Sequence, residues 1–336
     1  MTTLEKTTYY LVYHYKNNGN QDDQQGLTFS GTINVSIINA KSSYCELHPE
    51  TGACKILAIG ETEELKFDET SDNNLRYIGA DPNNYVKFND ELWRIIGVMN
   101  NIDDGTGNKE TRLKIIRSEP IGNYSWDNKG DNGENDWSTS PLQHVLNSGA
   151  YWNRTSGECP YGQNGATTPC DFSSIGLTET AKAMISNAVW NLGGLSSDYN
   201  LVSTFYIAER GDTVYSGKPT KWIGQIGLMY PSDYGYATNG GNTNNRETCL
   251  LYALHDWVNY NDCYSNDWLY TSSHQWTITP RTDGANIVFN ADGYGYVNTH
   301  HVYYTYLNVV PTLYLSSNVK ITSGTGTSSD PFKFSL

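Results

Sequence analysis

Positive charge is scarce in this sequence. Only 17% of the 336 residues are charged, and 22 Lys and Arg face 36 Asp and Glu, a formal balance of −14. A polyanion-binding face needs clustered cations, so a nucleic-acid binder driven by phosphate attraction is excluded. Long hydrophobic runs are missing too: none approaches the roughly 18–20 residues that span a bilayer. The opening MTTLEKTTYYLVYHYK lacks the charged-then-apolar layout of a secretory leader. There is no CxxC spacing, no GxSxG elbow and no repeat of about 20–50 residues. Zinc ribbons, thioredoxin-type redox centres, α/β-hydrolases, solenoids and propellers are therefore set aside.

Aromatic side chains are abundant, 13% of the chain, with 26 Tyr and 9 Trp. Such rings combine a broad apolar face with a polar tip and serve both strand-rich cores and recognition surfaces. The six cysteines come as neighbours: Cys45 and Cys54, Cys159 and Cys170, Cys249 and Cys263. Sequence alone does not fix connectivity. Each neighbouring pair brackets a short polar loop where free thiols would be exposed, so we expect the local disulfides Cys45–Cys54, Cys159–Cys170 and Cys249–Cys263. Such bonds persist outside the cytosol. The expectation is an extracellular protein whose leader or anchor lies outside this sequence.

Along the chain, Thr8–Lys16 and Thr28–Asn39 alternate as strands around the turn-like NNGNQDDQQG. They read as a β-hairpin within residues 1–40 that either packs on another sheet or is the surviving end of a truncated upstream β domain. Residues 41–74, with the first cysteine pair and the acidic run ETEELKFDE, read as a solvated connector. From Leu75 an antiparallel sheet begins, with YVKFNDELWRIIGVMN turning at Asn89-Asp90 and TRLKIIRSE following. Ser140-Pro141 marks a helix start for PLQHVLNSGAYWN. Thr178 starts a second helix, TETAKAMISNAVWNL, ended by Gly193-Gly194, with a 3–4-spaced apolar stripe from Ala181 to Leu192. STFYIAER, KWIGQIGLMY, HQWTITP, NIVFNADGYGYV, HVYYTYLN and VVPTLYLSSNVKI read as short strands. SGTGTSSDPF lacks the strand–helix context of a phosphate loop and is a turn.

The segments YIGADPNNYVKFNDELWRIIGV, LKIIRSEPIGNYSWDN, WIGQIGLMYPSDYGYAT, HQWTITPR and VVPTLYLSSNVKITSGTGTSSDPF resemble those of surface-exposed proteins of Gram-positive, often gut-dwelling bacteria. The likeness covers about Leu75 to Leu336. It implies an α+β fold for residues 75–336: a C-type-lectin-like domain, in the broad variant shared with formylglycine-generating enzymes. Two main helices would flank twisted antiparallel sheets, and a loop-rich surface would present ligand contacts. The calcium-bridging Glu-Pro-Asn or Gln-Pro-Asp of true C-type lectins does not occur, and the catalytic cysteine pair of the formylglycine-generating enzymes has no clear match.

Seven histidines are scattered and no carboxylate pair stands out, so no enzyme and no cofactor is expected. His300 and His301 are adjacent, so on a strand they face opposite ways and do not chelate one metal. Asp127, Asp131, Glu134 and Asp136 in WDNKGDNGENDW are hard oxygen ligands, a candidate structural calcium site against the plainer reading of a solvated acidic loop. The richest region is 257–306. There Trp257, Trp268, Tyr270, Tyr294, Tyr296, Tyr303, Tyr304 and Tyr306 are interleaved with Asn, Asp, Ser, Thr and His. Strand alternation would put Tyr294 with Tyr296, and Tyr304 with Tyr306, on shared faces. The expected function is non-catalytic recognition at a bacterial surface, an adhesin or ligand-binding module for a glycan or protein. The alternative is a structural subunit of a surface layer or filament, joined to neighbouring subunits by strand addition through the hairpin.

Overall fold

Strand Glu91–Asp103 organises the fold, because thirteen residues are long enough to serve two partners along one edge. Its first half pairs with Tyr85–Phe88 and its middle with Leu75–Tyr77, while Lys109–Arg117 runs antiparallel along its other edge. The sheet extends through Thr312–Tyr314 to Ile226–Gly227 on one side. On the other, Phe332–Ser335 adds in parallel to Tyr85–Phe88 and carries Lys320–Ser323. In this computed structural model residues 43–129 and 134–336 are described, all within the unit Ala40–Leu336. The expected hairpin Thr8–Asn39 and Asp131 of the candidate calcium loop lie outside the described residues.

The hairpin turn at Asn89-Asp90 forms as read, with φ of 56° and 63° at the two positions. That left-handed pair is what a two-residue hairpin loop requires and what Asn and Asp tolerate. Asn89 also accepts from Thr178 N through Oδ1, tying the turn to the start of a helix. Gly97 lets Leu75–Tyr77 approach: a Cβ there would lie 2.4 Å from the Leu75 carbonyl oxygen.

Smaller sheets complete an α+β fold: Gln275–Pro280 with Ile287–Ala291 and Val297–His301, Ser156–Pro160 with Thr167–Asp171, and Ala188–Asn191 with Lys221–Gly224. The core is contiguous and rich in rings, with Trp93, Trp126, Trp137, Trp190 and Trp276 all essentially inaccessible. Disulfides Cys45–Cys54, Cys159–Cys170 and Cys249–Cys263 join the neighbouring cysteines. Three such bonds fit an oxidising, extracellular compartment. Among the described residues no helix is long and apolar enough to cross a membrane.

Several expectations need correction. The stretch 41–74 is more than a connector. Helix Gly52–Ile59 puts Ala53, Cys54 and Ile56 into the core, and strand Leu65–Phe67 pairs with Leu75–Tyr77. The first helix begins at Pro141, with Ser140 capping Gln143 N, but breaks at Ser148-Gly149 into Pro141–Asn147 and Ala150–Asn153. The second is only Glu179–Ala183. After it, Ala188 and Trp190 alternate inward with the less buried Val189 and Asn191, so part of the apolar stripe belongs to a strand. STFYIAER is helical: Val202–Glu209 buries Val202, Phe205, Tyr206 and Glu209 at helical spacing. Short helices Pro231–Tyr236, Arg246–Leu250 and Asn261–Ser265 add to the two expected.

Candidate ligand-binding surface

The three-stranded sheet closest to the aromatic-rich region presents a ring cluster. Asn298 and His300, two residues apart on Val297–His301, share a face. After His301 the chain leaves the strand and turns, which brings Tyr303, Tyr304 and Tyr306 back over it. HVYYTYLN is therefore a strand end followed by a loop, and turn geometry, not strand alternation, places these tyrosines. Tyr294 and Tyr296 likewise sit in the loop between Ile287–Ala291 and Val297–His301.

The rings form a connected surface. His300 lies 5.8 Å from His274, 5.5 Å from Tyr304 and 5.6 Å from Tyr306, centroid to centroid. His274 reaches Tyr294 at 6.2 Å and Tyr306 at 5.5 Å. Tyr303 stacks on His301 at 5.1 Å and meets Tyr304 edge-on at 5.3 Å. Edge-to-face packing of this kind fixes ring orientation and leaves the outer edges and hydroxyls to solvent. Tyr294 is 67% exposed and Tyr306 47%, while the intervening rings are half-buried.

Polar groups beneath the rings hold them in place. His274 Nδ1 lies 3.1 Å from the buried Asp292 carboxylate, to which Asn298 Nδ2 also donates at 3.3 Å. His300 Nδ1 pairs with Asn290 Oδ1 at 2.6 Å. Burial lowers the His300 pKa below the ordinary histidine value, with Asp292 opposing the shift and His274 and His301 adding to it. His300 is therefore predominantly neutral near pH 7. Burial, with Asp292 nearby, raises the Tyr296 pKa, and that hydroxyl accepts from Asn298 Nδ2.

The remaining residues of the expected site do not join this surface. Trp257 and Trp268 are core residues, at 0% and 7% exposure. Trp257 donates to the Cys249 carbonyl and packs on Tyr234, while Trp268 donates to the Tyr77 carbonyl and takes Arg94 over its ring at 4.5 Å. A buried indole whose N–H is already spent has nothing left to offer a ligand. Tyr270 is half-buried against Tyr264 and donates to the Gly293 carbonyl. Tyr296 packs instead against His255, which meets the Tyr199 ring at a tilt, 4.2 Å between centroids.

The acidic residues of WDNKGDNGENDW do local work. Asp127 is buried and accepts from Lys129 N, Asp136 caps the turn at Ser138, and Glu134 pairs with Lys218 at 3.1 Å. Among the described residues no group of three or more His, Cys, Asp or Glu is placed to hold a metal ion. Sequence reasoning missed His274 and Asp292, which flank the paired strands Gln275–Pro280 and Ile287–Ala291 at the same end of the hairpin. Only the Asn298–His300 alternation was available as a signal.

Fold and surface together define an α+β, disulfide-bonded protein with an exposed Tyr–His cluster on a small antiparallel sheet. Compared with protein-family models, curated proteins and solved structures, the chain matches none.

Proposed function

We propose that this chain is a non-catalytic recognition protein of a bacterial cell surface, a C-type-lectin-like module that binds a glycan or protein through its Tyr–His surface. One observation carries the reading: Tyr294 and Tyr306, largely exposed, belong to one ring network with His274, His300 and Tyr304. Rings locked by their neighbours lose little entropy on binding, so they offer contact area at low cost. The disulfides support an extracellular setting. The small sheet under the rings, with loops gathered at its ends, supports the C-type-lectin-like architecture. Probing glycan and extracellular-protein arrays with the wild-type chain and with Tyr306→Ala and Tyr294→Ala tests the proposal. The expected result is a ligand lost in both variants while thermal unfolding is unchanged. A ligand retained at full strength by both would overturn it.

A further inference from the structure

Away from the ring cluster, a cavity of about 190 Å³ opens between seven stretches of chain and shares no residue with that surface. Its walls include Asp72, Asn101, Asp103, Asn191 and Arg210, with Lys109 and Lys221 also lining it and Tyr314 and Met99 among its most buried members. We propose that this cavity binds a small hydroxylated oxyanion: a single sugar bearing a carboxylate or a phosphate.

The argument turns on which polar groups are already spent. Asp72 accepts from the Tyr206 hydroxyl and from Asn101 Nδ2 at 3.0 Å, and faces Arg210 Nε at 3.4 Å. Asp103 accepts from the amides of Gly105 and Gly107. The Asn74 and Asn100 side chains donate to Asp68, Tyr206 and backbone carbonyls.

What remains is dominated by donors. Lys109 and Lys221 make no ion pair with the described residues, and the Asn191 side chain makes no hydrogen bond to them. Tyr314 is 3% exposed, its ring held between Trp190 at 4.9 Å and Lys114 at 5.2 Å, yet its hydroxyl has no partner among the described residues. That oxygen is open to the cavity, so it is a free donor and acceptor for a ligand hydroxyl or oxyanion. With Arg210 already paired to Asp72, the unpaired lysines Lys109 and Lys221 leave the lining, which also carries Asp103, net positive by one in a chain whose overall balance is −14. Charge-assisted hydrogen bonds to a carboxylate or phosphate are the strongest use of such donors. The amide of Asn191 offers a donor and an acceptor together, which suits sugar hydroxyls. Drug-sized sites occupy roughly 300–1,000 Å³, so a cavity this small takes one compact molecule.

Titration calorimetry on the full chain at physiological salt, with glucuronate, glucose 6-phosphate, glucose and inorganic phosphate as separate probes, tests the proposal. Glucuronate or glucose 6-phosphate is expected to bind at least about tenfold more tightly than glucose or inorganic phosphate. Which of the two prevails tells carboxylate from phosphate. Lys221→Gln, at an exposed position, and Tyr314→Phe, which removes only the hydroxyl, should each weaken that probe about tenfold. Tyr306→Ala should leave it unchanged, which separates this cavity from the ring surface. Absence of binding by both charged sugars, glucose binding equally well, inorganic phosphate matching the sugar phosphate, or indifference to Lys221→Gln and Tyr314→Phe would each overturn it.

Discussion

Replacing Asp233 with asparagine tests the charge network that joins the large sheet to helix Pro231–Tyr236. The carboxylate takes Lys114 Nζ at 2.5 Å and Arg76 Nη1 at 2.8 Å, and all three side chains are only 1–2% exposed. Burial alone would raise the Asp233 pKa, but Lys114 and Arg76 outweigh it and hold the carboxyl at about 2. Burial lowers Lys114 to about 8 against the pull of Asp233. In D233N, Arg76 keeps Asp68 at 2.8 Å, whereas Lys114 loses the carboxylate that faces it. Stranding a buried charge costs about 3–5 kcal/mol. The loss has a ceiling, because Lys114 can shed its proton, and holding an ordinary lysine neutral at pH 7 costs about 5 kcal/mol. An unfolded lysine binds more protons than a folded one with a depressed pKa, so stability rises with pH between the two pKa values. In the wild type that rise begins near pH 8. In the variant, with no anion opposing burial, it begins lower. The deficit of D233N therefore narrows by about 1 kcal/mol between pH 7 and pH 8 and levels off above. Urea unfolding at pH 7, 8 and 9, with disulfides intact, measures it. A loss under about 1 kcal/mol at pH 7, or a deficit independent of pH, refutes the reasoning.

Two further outcomes follow from burial. Trp268→Ala should cost about 3–5 kcal/mol in thermal or urea unfolding, because it empties a core site, whereas Tyr306→Ala should stay within about 0.5 kcal/mol. Equal stability of the Trp268 variant and the wild type would contradict the core assignment. Glu209 is fully buried, accepts from Ser232 N at 3.0 Å and sits 3.2 Å from Arg210. Burial, opposed by Arg210, raises its pKa to about 7. A folded acid with a raised pKa binds more protons than the unfolded chain, so its contribution to stability falls as pH rises from about 4.5 to about 7, by about 3 kcal/mol. Glu209→Gln should lack that fall, so its stability relative to the wild type improves across this window. A difference that stays constant with pH would show that Glu209 does not titrate there.

Local signals in the sequence were decisive where a few neighbouring residues settle the geometry. Asn89-Asp90 turns a hairpin because both side chains tolerate positive φ, Ser140-Pro141 opens a helix because a hydroxyl caps it, and each cysteine bonds its nearest neighbour. The α+β class was expected from the resemblance of residues 75–336, and the sheets and short helices agree with it. Other outcomes depended on partners distant in the chain. Ala188–Asn191 is a strand because Lys221–Gly224 pairs with it, although its apolar spacing is also helical. Trp257 and Trp268 resemble surface aromatics in sequence, and became core because the carbonyls of Cys249 and Tyr77 satisfy their N–H groups in apolar surroundings. The ring cluster unites His274, Tyr294 and His300 through loops that return over a sheet, and the cavity unites Asp72, Lys109, Arg210, Lys221 and Tyr314 from separate elements. Turns and caps are short-range and written in adjacent residues; burial and convergence are sums over contacts that exist only once the chain has closed on itself.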